Sequence, residues 1–175
     1  LGLSPTASTT AALAMGDALA VVLLEKRDFG SEQFAIFHPG GTLGKRLLIK
    51  VSDLMHSGDE NPIIHKDRTL KEAIVVMTAK GLGSTSVIDD DGKLVGIITD
   101  GDLRRIIQAG KYGRDAPVEK VMTHNPKSIS KDAPAVKAID VMEQFNITVL
   151  PVIDQDNHPI AMIHIHDLIK AGITP

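Results

Sequence analysis

The chain has 175 residues, of which 43% are apolar and 23% are charged, and its formal net charge is -3. This composition supports a packed core, while the mixed charges argue against a surface built for nucleic-acid phosphates or anionic lipid. The sequence has no cysteine and only 3% aromatic residues, which excludes disulfides and thiolate metal sites and leaves few platforms for stacking nucleic-acid bases.

The sequence also predicts the compartment. The longest apolar run, residues 18–24, is flanked by Asp17 and Glu25, so no run reaches the roughly 20 residues that span a bilayer. The chain begins without Met and without a basic-then-apolar signal pattern. We therefore expect a cytoplasmic fragment of a longer protein that contacts neither membrane nor nucleic acid.

Residues 1–48 open with a hydroxyl-rich run at 6–10 and a helical pattern at 11–26. The hydroxyls are expected to cap that helix or to face a phosphate at its positive end. Residues 38–46 (HPGGTLGKR) resemble a phosphate loop, but a Walker motif requires Ser or Thr after the lysine, where Arg46 stands. The two glycines are better interpreted as a flexible turn.

The next segment predicts an amphipathic helix. Thr69 and Glu72 have the spacing of a capping box at its start, and Gly81 is a typical helix end. The predicted buried face comprises Leu70, Ala73, Ile74 and Met77.

Two strands and a second helix follow. Residues 84–89 are rich in β-branched side chains, and Asp91 and Gly92 form a hairpin turn signal. Residues 93–99 predict the partner strand, and residues 102–108 predict a helix.

This pattern occurs twice. From the first helix onward, matching residues lie 65 positions apart, and the offset is two residues larger before that helix. The predicted fold is α/β, with two β-α-β-β-α repeats at residues 50–110 and 116–173 joined by a polar link at 111–117. A repeat of this size is marginal alone, so the two copies are expected to bury a shared sheet face.

The repeats resemble the CBS-domain family at residues 122–126 (MTHNP), 150–154 (LPVID) and above all 96–103 (GIITDGDL). The resemblance implies a pair of domains that binds a nucleotide-like regulator. It implies that Asp102 accepts hydrogen bonds from ribose hydroxyls, while Thr99 and the helix start face phosphate. The alternative is that Thr99 and Asp102 only cap the following helix.

Other residues extend this candidate site. Arg104 and Arg105 could pair with phosphate oxygens or could be solvated helix charges, and of the two we assign Arg104 to the effector site. In the second copy the threonine is replaced by His164, whereas Asp167 is retained, so this site either binds a phosphate or carboxylate through His164 or stays empty. His164, His166 and Asp167 also raise the possibility of a metal, but no further ligand cluster supports it and we predict no metal site.

Residues 1–48 resemble the end of a sugar isomerase (SIS) domain, at residues 5–11, 15–20 and 38–44. An SIS domain followed by a CBS pair is typical of bacterial arabinose-5-phosphate isomerases, which act in synthesis of the lipopolysaccharide sugar Kdo. The resemblance implies that His38 is catalytic in the full-length parent, where an imidazole can move protons near neutral pH. Because most of the SIS domain is missing, the fragment itself is expected to be inactive.

Two functions remain open at this point. The first is a regulatory CBS pair that binds CMP-Kdo or an adenine nucleotide and requires no other cofactor. The second is a structural module that holds isomerase protomers together and binds nothing. Both are compatible with a homo-oligomer formed through the CBS pairs.

Overall fold

The computed structural model describes residues 4–30, 33–34, 37, 48–110 and 112–173 of the chain. Contacts divide the chain into two compact units, Leu1–Leu48 and Ile49–Pro175.

The first unit contains helix α1 (Thr6–Lys26). The helix includes the hydroxyl-rich run, which therefore does not cap it as predicted. Instead, Thr9 Oγ1 donates to the carbonyl of Pro5 at 2.8 Å, and Thr10 Oγ1 donates to the carbonyl of Thr6 at 2.9 Å. Hydroxyls bonded to the preceding turn are one way in which Ser and Thr are tolerated inside helices.

Helix α1 also corrects the expectation about membrane segments. By length and composition it is apolar enough to cross a membrane, and none of its residues is buried. The prediction was based only on unbroken apolar runs. The mean hydropathy of the helix is high even though it includes the charged residues Asp17 and Glu25. One such helix near the start of the chain is weak evidence for a span, because core helices of soluble proteins have the same composition.

The second unit contains both repeats. Its helices are α2 (Leu70–Lys80), α3 (Asp100–Ala109), α4 (Ala135–Phe145) and α5 (Ile165–Lys170). Its strands are β1 (His56–Ser57), β2 (Ile63–His65), β3 (Ser84–Ile88), β4 (Leu94–Thr99), β5 (Thr123–His124), β6 (Ile129–Ser130), β7 (Val149–Ile153) and β8 (Pro159–His164).

Local signals in the first repeat are confirmed. Thr69 Oγ1 accepts from the Glu72 backbone N–H at the start of α2, and the Glu72 carboxylate accepts from the Thr69 backbone N–H, which completes the predicted capping box. Gly81 ends the helix with φ of 69°, a left-handed conformation that glycine adopts without a Cβ clash. Helix α3 begins at Asp100, two residues earlier than predicted.

The strands form two four-stranded sheets with the orders β2-β3-β4-β5 and β1-β8-β7-β6. Strand β5 lies near the start of the second repeat but pairs with β4 of the first, and β1 lies near the start of the first repeat but pairs with β8 of the second. The leading strands are therefore exchanged between the repeats. This exchange places His56 beside the second repeat and Thr123 beside the first.

Each repeat has its own apolar core, and a smaller cluster joins the two sheets. The joining cluster contains Ile97, Val149 and Met162, with Leu82 packed against it. The predicted shared face is thus present. Gly96 admits the exchanged strand, because a Cβ there would approach to 2.8 Å of Met122 Cγ.

Candidate functional site

A cavity of about 660 Å³ opens between the repeats. The start of α3 and the segment around the exchanged strand β5 form one side, and residues 145–149 form the other. Its volume lies in the range of small-molecule sites. The residues that line it are Leu82, Gly83, Ile97, Thr99, Asp100, Gly101, Arg105, Thr123, Asn125, Pro126, Lys127, Phe145, Asn146, Ile147, Thr148, Val149 and His164.

The Asp102 carboxylate is occupied by groups of the protein itself. Its Oδ2 accepts hydrogen bonds from the backbone N–H and the hydroxyl of Thr99, at 2.8 and 2.7 Å. Its Oδ1 accepts from Arg105 Nη2 at 2.5 Å and from Thr123 Oγ1 at 3.2 Å. Thr99 is the N-cap of α3 and also lines the cavity, and the buried Asp102 completes its capping box. The capping interpretation is therefore present in the structure, and ribose binding by Asp102 stays a prediction.

The two arginines of α3 differ in position. Arg105 lines the cavity and lies one helical turn after Asp102, with which it forms an ion pair. Arg104 is exposed and is absent from the cavity wall. Arg104 was the arginine predicted for the site, but the geometry favours Arg105. The three-residue spacing from Asp102 was the available signal.

Further polar groups of the wall were not singled out from sequence. The ammonium of Lys127 lies 4.4 Å from the centre of the Phe145 ring, a cation–π arrangement. Asp100 adds a carboxylate at the start of α3. Asn125 and Asn146 have positive φ of 49° and 52°, which asparagine tolerates better than most residues. The wall thus combines two cations, one carboxylate and an aromatic face.

His164 belongs to the second motif, yet it lines the same cavity as Thr99. Its Nδ1 accepts a hydrogen bond from the backbone N–H of His166 at 3.1 Å. Burial, reinforced by the neighbouring His166, lowers the pKa of His164. The neutral ring therefore carries its proton on Nε2, where it can serve as a hydrogen-bond donor.

Asp167, the second motif carboxylate, accepts from His56 Nε2 at 2.9 Å. His56 Nδ1 lies 2.9 Å from Glu60 Oε2, so the imidazole bridges two carboxylates. Partial burial acts to lower the pKa of His56, but hydrogen bonds and charge from Glu60 and Asp167 outweigh it and raise the pKa. Asp167 is not among the residues that line the large cavity.

Two groups of side chains in the described ranges have the spacing of metal ligands, and neither includes His164 or His166. Exposed groups of this kind are common without an ion. The group that contains Asp90 is already paired within the protein, since Lys66 donates to Asp90 at 2.7 Å and lowers the pKa of that carboxyl. The groups are His65 with Asp67 and Asp90, and Asp154 with Asp156 and His158.

His38 lies outside the described residues. Its catalytic role in the parent enzyme stays a prediction from sequence.

Comparison with known proteins identifies the repeats. The protein-family model for the CBS domain matches residues 51–109 and 118–173. Arabinose 5-phosphate isomerase KdsD of Pseudomonas aeruginosa is 47% identical over 173 residues, 99% of this chain and 53% of that protein. The Escherichia coli K12 enzyme is 46% identical, and the match covers 52% of its length. The chain thus spans about half the length of these relatives, and the resemblance to bacterial arabinose-5-phosphate isomerases is confirmed.

Solved structures confirm the predicted fold. The CBS domain pair of protein MJ0100, in complex with 5′-methylthioadenosine and S-adenosyl-L-methionine, matches with a TM-score of 0.63 and 24% identity, over 70% of this chain and 94% of that one. CBSX2 in complex with AMP matches with a TM-score of 0.61 and 22% identity, over 70% and 95% of the respective chains. Identities at this level show the shared fold alone.

Proposed function

This chain belongs to the CBS domain family, and from this premise we propose that it is the effector-binding part of an arabinose-5-phosphate isomerase. The observation that carries the proposal is the cavity between the repeats, with the start of α3, Arg105 and Lys127 in its wall. A helix start and two cations favour an anionic ligand. Residues 1–48 are then the end of the SIS domain, and the parent enzyme works in the cytoplasm.

The residues of the cavity wall offer a partner for each part of a nucleotide. Arg105 and Lys127 supply charged donors for phosphate oxygens. The Asp100 carboxylate can accept hydrogen bonds from ribose hydroxyls, and Phe145 offers an aromatic surface for a base. The neutral His164 ring adds a donor for a carbonyl or carboxylate oxygen.

Two effectors fit this chemistry. An adenine nucleotide is supported by the two similar CBS pairs, which were solved with AMP or with adenosine derivatives. CMP-Kdo is supported by metabolism, because arabinose 5-phosphate is consumed in Kdo synthesis and an activated end product is a natural regulator. Its carboxylate would give Lys127 or His164 a second anionic group to bind.

Isothermal titration of the purified chain with CMP-Kdo, AMP and ATP tests this proposal. We expect saturable binding of one of them, with CMP and Kdo as separate control titrants to show which half of CMP-Kdo is recognised. Binding of CMP-Kdo alone would indicate end-product sensing, and preference for AMP or ATP would indicate energy sensing. Absence of binding by every nucleotide would contradict an effector-binding function.

A structural module is the second candidate function. It is favoured by large apolar side chains exposed on three helices of the repeats: Val75, Ile107 and Ile169 are 62%, 79% and 52% exposed. Such side chains suit contact with another copy of the chain. Sedimentation of the sample used for titration separates the two functions, since assembly without nucleotide binding would favour the structural one.

We also expect the chain to lack isomerase activity, because about half of the parent length is absent. Incubation with arabinose 5-phosphate should give no ribulose 5-phosphate above the buffer rate. In the full-length parent, His38→Ala should lower kcat by roughly 10²–10⁴-fold, the usual contribution of a general acid or base. Turnover by the chain alone, or an unaffected His38→Ala parent, would contradict these assignments.

A further inference from the structure

The two motif carboxylates have matched but chemically different partners. Each is contacted by a residue from the exchanged strand of the other repeat: Thr123 donates to Asp102, and His56 pairs with Asp167. Thr123 and His56 are related by the repeat offset of 67 residues that holds before the first helix. Gly58 supports this register, because it has positive φ like its counterpart Asn125.

The cavity described above is the first cleft, and we call the region around Asp167, which corresponds to it by the repeat offset, the second cleft. The replacement of threonine by histidine changes the charge of this second cleft. Ionised carboxylates only accept hydrogen bonds, so a ring whose two nitrogens each lie 2.9 Å from a carboxylate oxygen can donate to both only as an imidazolium. The groups that face His56 are Glu60 from the turn after β1, Asp167 from α5 and His164 from the end of β8. His56 thus connects, through hydrogen bonds, a turn of the first repeat and a helix of the second.

The remaining wall of the second cleft is also unlike the first. At the same offset of 67, Glu60 stands where Lys127 stands in the first cleft. Lys80 stands where Phe145 stands, 65 residues earlier, and its ammonium donates to the carbonyl of Asp59 in the turn after β1. The cation–π pair of the first cleft is thus replaced by a contact that holds this turn in place.

We propose that the bridge from Glu60 through His56 to Asp167 latches the second cleft shut, so that each chain binds one nucleotide effector, in the first cleft. The second motif then contributes to the first cleft through His164 rather than forming a site of its own. This inference rests on the proposed effector-binding function. It adds to that function a stoichiometry of one effector per chain and a closed second site for the same class of ligand.

The direction of the His56 pKa adds a pH dependence to the latch. Because folding raises this pKa above the ordinary 6.5, the protonated bridge stabilises the folded chain fully below pH 6.5. That contribution is lost as the pH rises through the folded value. The latch is therefore closed below pH 6.5 and weakens as the pH rises through the raised pKa of His56.

Restoration of the first-cleft residues tests the latch. The variant His56→Thr with Glu60→Lys gives the second cleft the hydroxyl and the cation that Thr123 and Lys127 supply to the first. Titration with whichever nucleotide binds the wild-type chain should give one site in the wild type and two in the double variant. Two sites in the wild type, or one site in a double variant with an unchanged melting profile, would overturn the proposal.

His65→Thr is the matched control. His65 also lies between two carboxylates, 3.5 Å from Asp67 and 3.4 Å from Asp90, but it is not part of either cleft. Its replacement should leave one site. A second site in this variant would show that loss of any paired histidine loosens the fold, which would contradict a specific latch.

A measurement without ligand keeps the latch testable if no nucleotide binds. Nuclear magnetic resonance titration of the His56 ring should give a pKa above 6.5, and Asp167→Asn should lower it. Failure of all nucleotides to bind would remove the proposed function, while a raised and Asp167-dependent pKa would still support the latch. A His56 pKa at or below 6.5 that does not respond to Asp167→Asn would overturn it.

Discussion

Replacement of Asp102 by alanine is expected to lower the free energy of unfolding by about 2–4 kcal/mol. The carboxylate is buried and accepts four hydrogen bonds, two from Thr99, one from Arg105 and one from Thr123. Its loss removes the half of the capping box in which the carboxylate accepts from the Thr99 backbone N–H, and it leaves the Thr99 and Thr123 hydroxyls without this acceptor. The bond from Thr123 also ties the exchanged strand to α3, so the effect extends to the pairing of the repeats.

Urea unfolding followed by circular dichroism measures this loss. Asp102→Asn, which keeps the shape and one carbonyl acceptor, should cost less than alanine. Asp167→Ala is the matched control in the second repeat and should also cost less, since among the described residues its carboxylate pairs with the partly exposed His56. A cost below about 0.5 kcal/mol for Asp102→Ala, the range of ordinary surface substitutions, would contradict the capping role.

The expected loss of stability in Asp102→Ala changes how effector binding is to be tested. A chain with Asp102→Ala can lose affinity because the start of α3 is displaced, and such a loss does not identify Asp102 as a ligand contact. Thr99 and Asp100 line the cavity directly, and both lie at the helix start that Asp102 holds. Asp102 therefore shapes the site whether or not it touches the effector.

The elements that the sequence predicted best are those specified by neighbouring residues. The capping box of Thr69 and Glu72, the end of α2 at Gly81 and the hairpin around Gly92 each depend on a few adjacent positions. Because the second copy repeats the first at a nearly constant offset, the same predictions extended to the second domain. Local chemistry and self-similarity were sufficient for the fold class.

The exchange of β1 and β5 could not be predicted in the same way. Each strand has two residues, too few for a hydrophobic period, and its partner lies in the other repeat. The composition of the cavity follows from this exchange, because Thr123 and the segment to Lys127 reach the first repeat through β5. Lys127 was consequently missed as a site residue. Asp100 was missed and Arg105 passed over for a different reason, because the orientation of α3 decides which of its side chains face the cavity.

The choice between the two adjacent arginines gives the largest expected effect on binding. Arg105→Gln should weaken effector binding by about 10–100-fold, the range expected for one charge-assisted hydrogen bond to phosphate. Arg104→Gln removes the same charge from the same helix but from an exposed position outside the cavity wall. It should change affinity by about twofold or less, as expected for a solvated surface charge.

Titration calorimetry of both variants decides between the arginines, with thermal unfolding as the control for the lost ion pair between Arg105 and Asp102. If Arg105→Gln unfolds near the wild-type temperature and binds weakly, the loss belongs to the ligand contact. A larger loss for Arg104→Gln would return the phosphate contact to the residue favoured by sequence alone and would require a different orientation of α3. Equal, small losses would leave Lys127 as the cavity cation that binds phosphate, and Lys127→Met should then abolish binding.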